Sequence, residues 1–275
     1  MAAALSERIF TSRPCVFVVG EDKREFLFHS DLIKRLNKPL GKLIDTSFAE
    51  GRKGYVVLRD DNAETISAFA QFIYTGDYHL SSDVSAIDSA KESHDEGNHG
   101  NNVAQFRHPH NGLWRRFVRY EFENQENSSD PYMTSCEESE SEIDDLEVSY
   151  SINRHMDKEY YKEFIPHAGI FVFAQYYGVE ELMNLSIQRL HEGLCGFSLS
   201  RERIGEILAL IRYCYDQPGP EKLKRMVAMY SAAVVNSQIP DVGAECFRDL
   251  LRERGDFAAD MALFLACRVS FSIKC

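Results

Sequence analysis

The feature that most constrains this sequence is a change of character between residues 81 and 160. This segment is rich in Ser, Asp, Glu, Asn and His and poor in aliphatic side chains, and Asp130–Ser149 contains eight acidic residues and no basic residue. Such a composition cannot bury enough apolar area to offset the entropy lost on ordering. We therefore predict a disordered acidic insert at 81–160, between two parts of the chain that have globular patterns.

The part before the insert alternates between strand and helix patterns. Two apolar runs, Cys15–Val19 and Glu25–Phe28, flank a polar turn after Gly20 and predict a hairpin. Apolar residues at three- and four-residue spacings then predict two short helices within 31–44, and Tyr55–Leu58 has the pattern of a buried strand. A capping-box spacing that begins at Asp61 predicts the start of another helix.

The part after the insert has helical periodicity throughout. Two helices are expected within 161–196, separated at Gly178, and three more amphipathic stretches follow within 197–275. The predicted fold class is therefore α+β, a small sheet flanked by helices, followed by an all-helical C-terminal extension at 197–275.

Three pieces of the sequence resemble the BTB/POZ family. They are the hairpin ending in Phe28-His29, the helix ending in Tyr74-Thr75-Gly76, and the Ala174-x-x-Tyr177 pattern that leads into a final helix. The resemblance covers about 10–80 and 164–196, and implies a BTB/POZ domain with its first part at 15–80 and its last helices at 161–196. The long insert and the helical extension resemble the BTB proteins of filamentous fungi.

The resemblance implies a core that binds other proteins, sometimes pairs with itself, and sometimes presents substrates to a cullin-based ubiquitin ligase. Dimeric members carry a helical N-terminal extension, whereas the segment 1–14 offers at most a short helix, so any homodimer is expected to be weak. Many members also have an Asp that faces the histidine of the second strand. Here Pro14-Cys15-Val16 occupies that place, and His29 is expected to bond to backbone groups instead.

Two short segments are candidate partner-binding sites. Phe48-Ala49-Glu50 matches the hydrophobic-x-Glu motif of cullin-binding members in spacing; alternatively, Phe48 packs into its own core and Glu50 is solvated. Inside the insert, residues 113–120 interleave aromatic residues with arginines, and Trp114 and Phe117 are compatible with one helical face. This peptide docks either internally or on a partner.

The acidic run offers candidate phosphorylation sites. Ser135 and Ser139 are followed by carboxylates, as acid-directed kinases prefer, and each phosphate would add about 1.5 to 2 negative charges. The run can bind a basic partner, fold back on Arg115, Arg116 and Arg119, or remain a solvated loop.

Composition narrows the class of function further. The net charge of −12, from 43 acidic and 31 basic residues, opposes binding to nucleic acid or to a membrane surface. Residues 1–8 lack the features of a secretory signal, so we expect the protein in the cytoplasm, the nucleus or both. The seven cysteines include no Cys-x-x-Cys pair, which indicates reduced structural thiols and neither disulfides nor a metal site.

No phosphate loop, nucleophile elbow or zinc-protease motif occurs in the sequence, so we expect no catalytic residue, cofactor or small-molecule substrate. The sequence thus predicts a non-catalytic adaptor or scaffold with other proteins as partners. A substrate adaptor of a cullin ligase is the first alternative, and an enzyme without a recognisable motif is the second.

Overall fold

The computed structural model describes residues 7–36, 38–44, 54–80, 111–119, 164–197, 199–200, 203–234 and 244–272. The chain divides into two compact units. Unit 1 combines Met1–Asp95 with Ile165–Arg189, and unit 2 combines Glu96–Phe164 with Leu190–Cys275. The described part contains one three-stranded sheet and is otherwise mostly helical, which confirms the predicted mixed α+β class.

Unit 1 begins with a one-turn helix and contains the sheet. Its elements in chain order are α1 (Glu7–Phe10), β1 (Pro14–Val19), β2 (Arg24–His29), α2 (Ser30–Leu36), α3 (Lys38–Leu43), β3 (Tyr55–Leu58) and α4 (Ala63–Thr75). The strand order is β2-β1-β3; β1 pairs antiparallel with β2 and parallel with β3. The predicted hairpin, helix pair and single strand are all confirmed.

Aromatic side chains fill the core under the sheet. Phe17 of β1 contacts Phe28 of β2 with ring centroids 4.8 Å apart, and Phe28 lies 5.9 Å from Phe69 of α4. Phe69 in turn lies 5.2 Å from Phe173, on the later helix α6 (Phe164–Tyr177), which belongs to unit 1 from Ile165 onward. All four rings are at most 3% exposed, so strand and helix periodicity converge on one apolar centre.

Side chains and a glycine fix the two ends of α4. Its N-cap is Asn62, whose Oδ1 accepts a hydrogen bond from the Glu64 amide at 2.8 Å. The cap therefore lies one residue after the predicted Asp61, because the amide oxygen of Asn62 reaches the free N–H groups of the first turn. The helix ends at Gly76, which has φ 80° and donates its N–H to the Phe72 carbonyl at 2.7 Å.

All regular secondary structure described in unit 2 is helical. It contains α5 (Gly112–Val118), the end of α7 (Glu180–Gly196), α8 (Ile204–Asp216), α9 (Glu221–Val234), α10 (Ala244–Glu253) and α11 (Gly255–Ser272). Helices α8, α9 and α10 correspond to the three predicted amphipathic stretches. Helix α11 was not predicted, although its buried residues Phe257, Met261 and Phe264 have helical spacing.

The structure changes two of the predicted boundaries. Residues 81–160 were expected to be disordered throughout, but Gly112–Val118 forms α5 and contributes buried side chains to unit 2. The remainder of that segment lies outside the described residues. The segment 161–196 was expected to belong to one domain with 15–80, whereas the division between the units falls inside α7, after Arg189. No helix in the described ranges is long and apolar enough to span a membrane.

Candidate functional site

The outer face of the unit 1 sheet is apolar and accessible. In the register, Val16 of β1 lies between Leu27 of β2 and Tyr55 of β3, and Val18 lies between Glu25 and Val57. We call these six residues the open sheet face. Leu27 is 68% exposed, Val57 46% and Tyr55 42%, although strand residues of this kind usually pack against a second layer.

A depression with a volume of about 380 Å³ opens on this face, lined by Val16, Val18, Glu25, Gly54 and Tyr55. Gly54 has φ 79°, which favours glycine, and a Cβ built there would lie 3.2 Å from a guanidinium nitrogen of Arg13. The face is thus mainly aliphatic and aromatic, with one carboxylate at Glu25 and the Arg13 guanidinium near its other end. This chemistry suits an apolar segment of another protein, with polar groups that orient it.

Two of the residues that carry the family resemblance are in contact. The His29 ring Nδ1 lies 2.8 Å from the Tyr74 hydroxyl, and the same hydroxyl oxygen accepts the His29 backbone N–H at 3.4 Å. His29 therefore pairs with a tyrosine side chain, and the expectation that backbone groups satisfy its ring is wrong. The pair connects the end of β2 to the last turn of α4.

The following residues of that motif shape the end of α4. The Thr75 hydroxyl donates to the Gln71 carbonyl at 2.8 Å and accepts the Asp77 N–H at 3.1 Å. Together with the left-handed Gly76, it turns the chain sharply. Tyr74, Thr75 and Gly76 therefore have a structural role in the described part of the chain.

The second motif lies on α6. Ala174 is fully buried, and the Tyr177 hydroxyl donates to the Asp61 carboxylate over 3.4 Å. Burial is the largest cause that raises the pKa of the Asp61 carboxyl, and burial is also the largest cause that raises the pKa of the Tyr177 hydroxyl. These residues connect α6 to the loop that precedes α4.

A buried polar cluster holds the chain that follows α4. The Tyr78 hydroxyl lies 2.7 Å from His167 Nδ1, and the Arg189 guanidinium contacts the Tyr78 ring at 4.4 Å, the Tyr78 carbonyl and the Asp77 carboxylate. Burial first, and then the positive charge of Arg189, lowers the pKa of His167 to about 3. His167 is therefore neutral at physiological pH and acts as a hydrogen-bonding core residue.

The two aromatic residues predicted as a docking pair are buried in unit 2. Phe117 is fully buried and lies 5.4 Å from the Tyr230 ring and 4.7 Å from the His191 ring, while Trp114 is 9% exposed and 6.3 Å from Tyr230. Asn111 caps the helix and donates its side-chain amide to the Ala233 carbonyl at 2.8 Å. These contacts favour the internal-docking alternative over partner binding.

One cysteine–histidine contact was not anticipated from the sequence. Cys195 Sγ lies 3.6 Å from His191 Nε2, one helical turn away on α7. That nitrogen also lies 2.7 Å from the Phe117 carbonyl, which can only accept, so Nε2 carries a proton and cannot take one from the thiol. Burial raises the pKa of Cys195 to about 12 and that of Cys15 to about 11, so both thiols stay protonated.

Phe48, Glu50, Ser135 and Ser139 lie outside the described residues. Within the described ranges, no group of three or more His, Cys, Asp or Glu side chains is arranged to hold a metal ion.

Comparisons with known proteins identify no relative of this chain. A scan against protein-family models, a search of curated proteins and a search of solved structures each find no match to this chain.

Proposed function

We propose that this protein is a non-catalytic adaptor or scaffold built on a BTB/POZ-type domain, and that the open sheet face binds partner proteins. The observation that carries the proposal is the exposure of Leu27, Tyr55 and Val57 on a single sheet surface. Contiguous apolar patches larger than a few hundred Å² are rare on folded monomers, and they commonly mark interaction sites. The two charged side chains near this face give such a partner a preferred orientation.

The architecture of unit 1 supports the family part of the proposal. The hairpin, the helix pair, the parallel third strand and the helix with a glycine end follow the order that the resemblance implies. The contact between His29 and Tyr74 joins two residues of the motifs that carry the resemblance. The family's general role, binding other proteins, agrees with an exposed apolar surface.

The size of the open sheet face favours another protein over a second copy as its partner. A stable dimer usually buries about 800 Å² on each partner, and six strand residues offer only part of that area. Self-association through this face alone is therefore expected to be weak. A short apolar segment that lies across the strands fits better.

The test compares partners captured by wild type and by two variants. The face variant is Leu27→Lys with Val57→Lys, and the control is Leu263→Lys, which adds charge at a 43% exposed apolar residue of α11. Quantitative mass spectrometry of the tagged proteins should show partners reduced at least about tenfold by the face variant but retained by the control. Identical partner sets in folded proteins would refute the role of this face.

The cullin-adaptor alternative depends on Phe48-Ala49-Glu50 and has a separate test. Purified cullin N-terminal domain is used as bait for wild type and for Phe48→Ala/Glu50→Ala, with circular dichroism to verify folding. Binding that is lost in the folded double variant would establish the adaptor role, whereas no binding by wild type excludes it. Light scattering of the same samples reports whether the chain forms a dimer.

A further inference from the structure

Helix α5 has two chemically opposite faces. Leu113, Trp114 and Phe117 are buried in unit 2. Arg115 and Arg119 are exposed and Arg116 is half-buried. At 100° per residue, Arg115 and Arg116 fall on the side of the helix opposite the buried residues. Arg119 is the C-cap residue, and its N–H bonds to the Arg115 carbonyl, so it follows Arg115 on that side.

The three arginines, which we call the basic face, have no acidic partner among the described residues. The ion pairs and side-chain hydrogen bonds of unit 2 involve other arginines, such as Arg212 with Glu253 and Arg254 with Asp216. Three adjacent guanidinium groups repel one another unless an anion lies nearby. This surface therefore suits a ligand that carries several carboxylates or phosphates.

The chain itself contains such a ligand close by in sequence. Glu137, the first glutamate of the acidic run, follows Arg119 by about 18 residues. Even fully extended, a connection of that length reaches only about 60 Å. Covalent connections of this kind typically give millimolar local concentrations, so an external acidic peptide would have to compete with the protein's own run.

We propose that the basic face of α5 binds the acidic run of the same chain, with Glu137, Glu138, Glu140 and Glu142 as the principal anions. The docked Trp114 and Phe117 hold the arginines in place, and the carboxylates neutralise them. The contact is electrostatic and weakens as salt is added, because Arg115 and Arg119 are exposed to solvent.

The experiment measures binding of a fluorescent peptide of residues 134–149, with Cys136→Ser, to the full chain by anisotropy at low salt. The neutralised variant carries Glu137→Gln, Glu138→Gln, Glu140→Gln and Glu142→Gln, and the arginine variant carries Arg115→Gln, Arg116→Gln and Arg119→Gln. A charge-matched control replaces three exposed basic residues elsewhere, Lys42, Arg59 and Arg248, with Gln. Circular dichroism verifies that each variant is folded.

We expect the neutralised variant to bind the peptide at least about tenfold more tightly than wild type, because its own run no longer competes. Adding the arginine substitutions to the neutralised variant should abolish that gain, and adding the control substitutions should preserve most of it. Equal affinity of wild type and the neutralised variant overturns the proposal, since the run then does not occupy the face. A gain that survives the arginine substitutions also overturns it, because the peptide then binds elsewhere.

Discussion

Replacing Phe117 with alanine should release α5 from unit 2. Phe117 is fully buried and its ring contacts Trp114, His191 and Tyr230. Truncating such a phenylalanine typically costs about 3 to 5 kcal/mol, because apolar contacts are lost and a cavity remains. Helix α5 buries only two other large apolar side chains, so a loss of this size removes a large share of the packing that holds the helix and should raise the population of the locally detached state.

The chain contains a single tryptophan, Trp114, and its fluorescence reports on α5 alone. In Phe117→Ala, the Trp114 emission should shift to longer wavelength, and its urea midpoint should fall below that of the helical circular dichroism signal. The matched control is Val118→Ala, which truncates a half-buried residue of the same helix and should cost about 1 kcal/mol or less. An unchanged emission spectrum, with a loss of stability below about 1 kcal/mol, would refute the packing argument.

Three further predictions concern unit 1 and the glycines. In the folded protein burial lowers the pKa of His167 to about 3, against an ordinary value of 6.5, so only the unfolded chain binds this proton as the pH falls below 6.5. The free energy of unfolding should therefore decrease by up to about 1.4 kcal/mol per pH unit below pH 6.5. Urea titrations of His167→Gln should lack this contribution. Gly76→Ala should destabilise the protein by about 1 kcal/mol because φ is 80° there, whereas Gly205→Ala, in α8, should stabilise it by up to about 1 kcal/mol. Neither added Cβ would meet a neighbouring atom within 4 Å, so only the backbone conformation distinguishes the two sites. Thermal melts in which both variants shift the melting temperature in the same direction would contradict this explanation. A double-mutant cycle of Tyr74→Phe and His29→Ala should give a coupling of about 0.5 to 1.5 kcal/mol, whereas additive losses would show that their hydrogen bond contributes nothing.

Local rules explain the elements that were predicted correctly. The hairpin follows from two apolar runs around a turn, and Gly20, with φ 69°, permits that turn. Helix α4 ends at Gly76 because the left-handed conformation there suits a residue without a side chain. The failure to predict α11 is different in kind, since the spacing of Phe257, Met261 and Phe264 was present in the sequence.

Long-range contacts explain the features that were not predicted. His29 and Tyr74 are 45 residues apart, and no local pattern shows that the ring of one bonds to the hydroxyl of the other. The amphipathic spacing of Trp114 and Phe117 was visible, but periodicity shows only which face is apolar and not what covers it. The surrounding acidic composition led to a prediction of disorder, and the apolar contacts of α5 in unit 2 outweigh that composition locally.

The open sheet face illustrates the same limit. Tyr55-Val56-Val57-Leu58 is apolar at every position, so the sequence predicts a buried strand. In the structure Val56 and Leu58 are buried, whereas Tyr55 and Val57 are exposed. A strand that needed only one buried face would alternate apolar and polar residues, as antiparallel sheets with one solvated face do. The folding of unit 1 does not require Tyr55 and Val57 to be apolar, and the partner binding proposed for the open sheet face would account for these side chains.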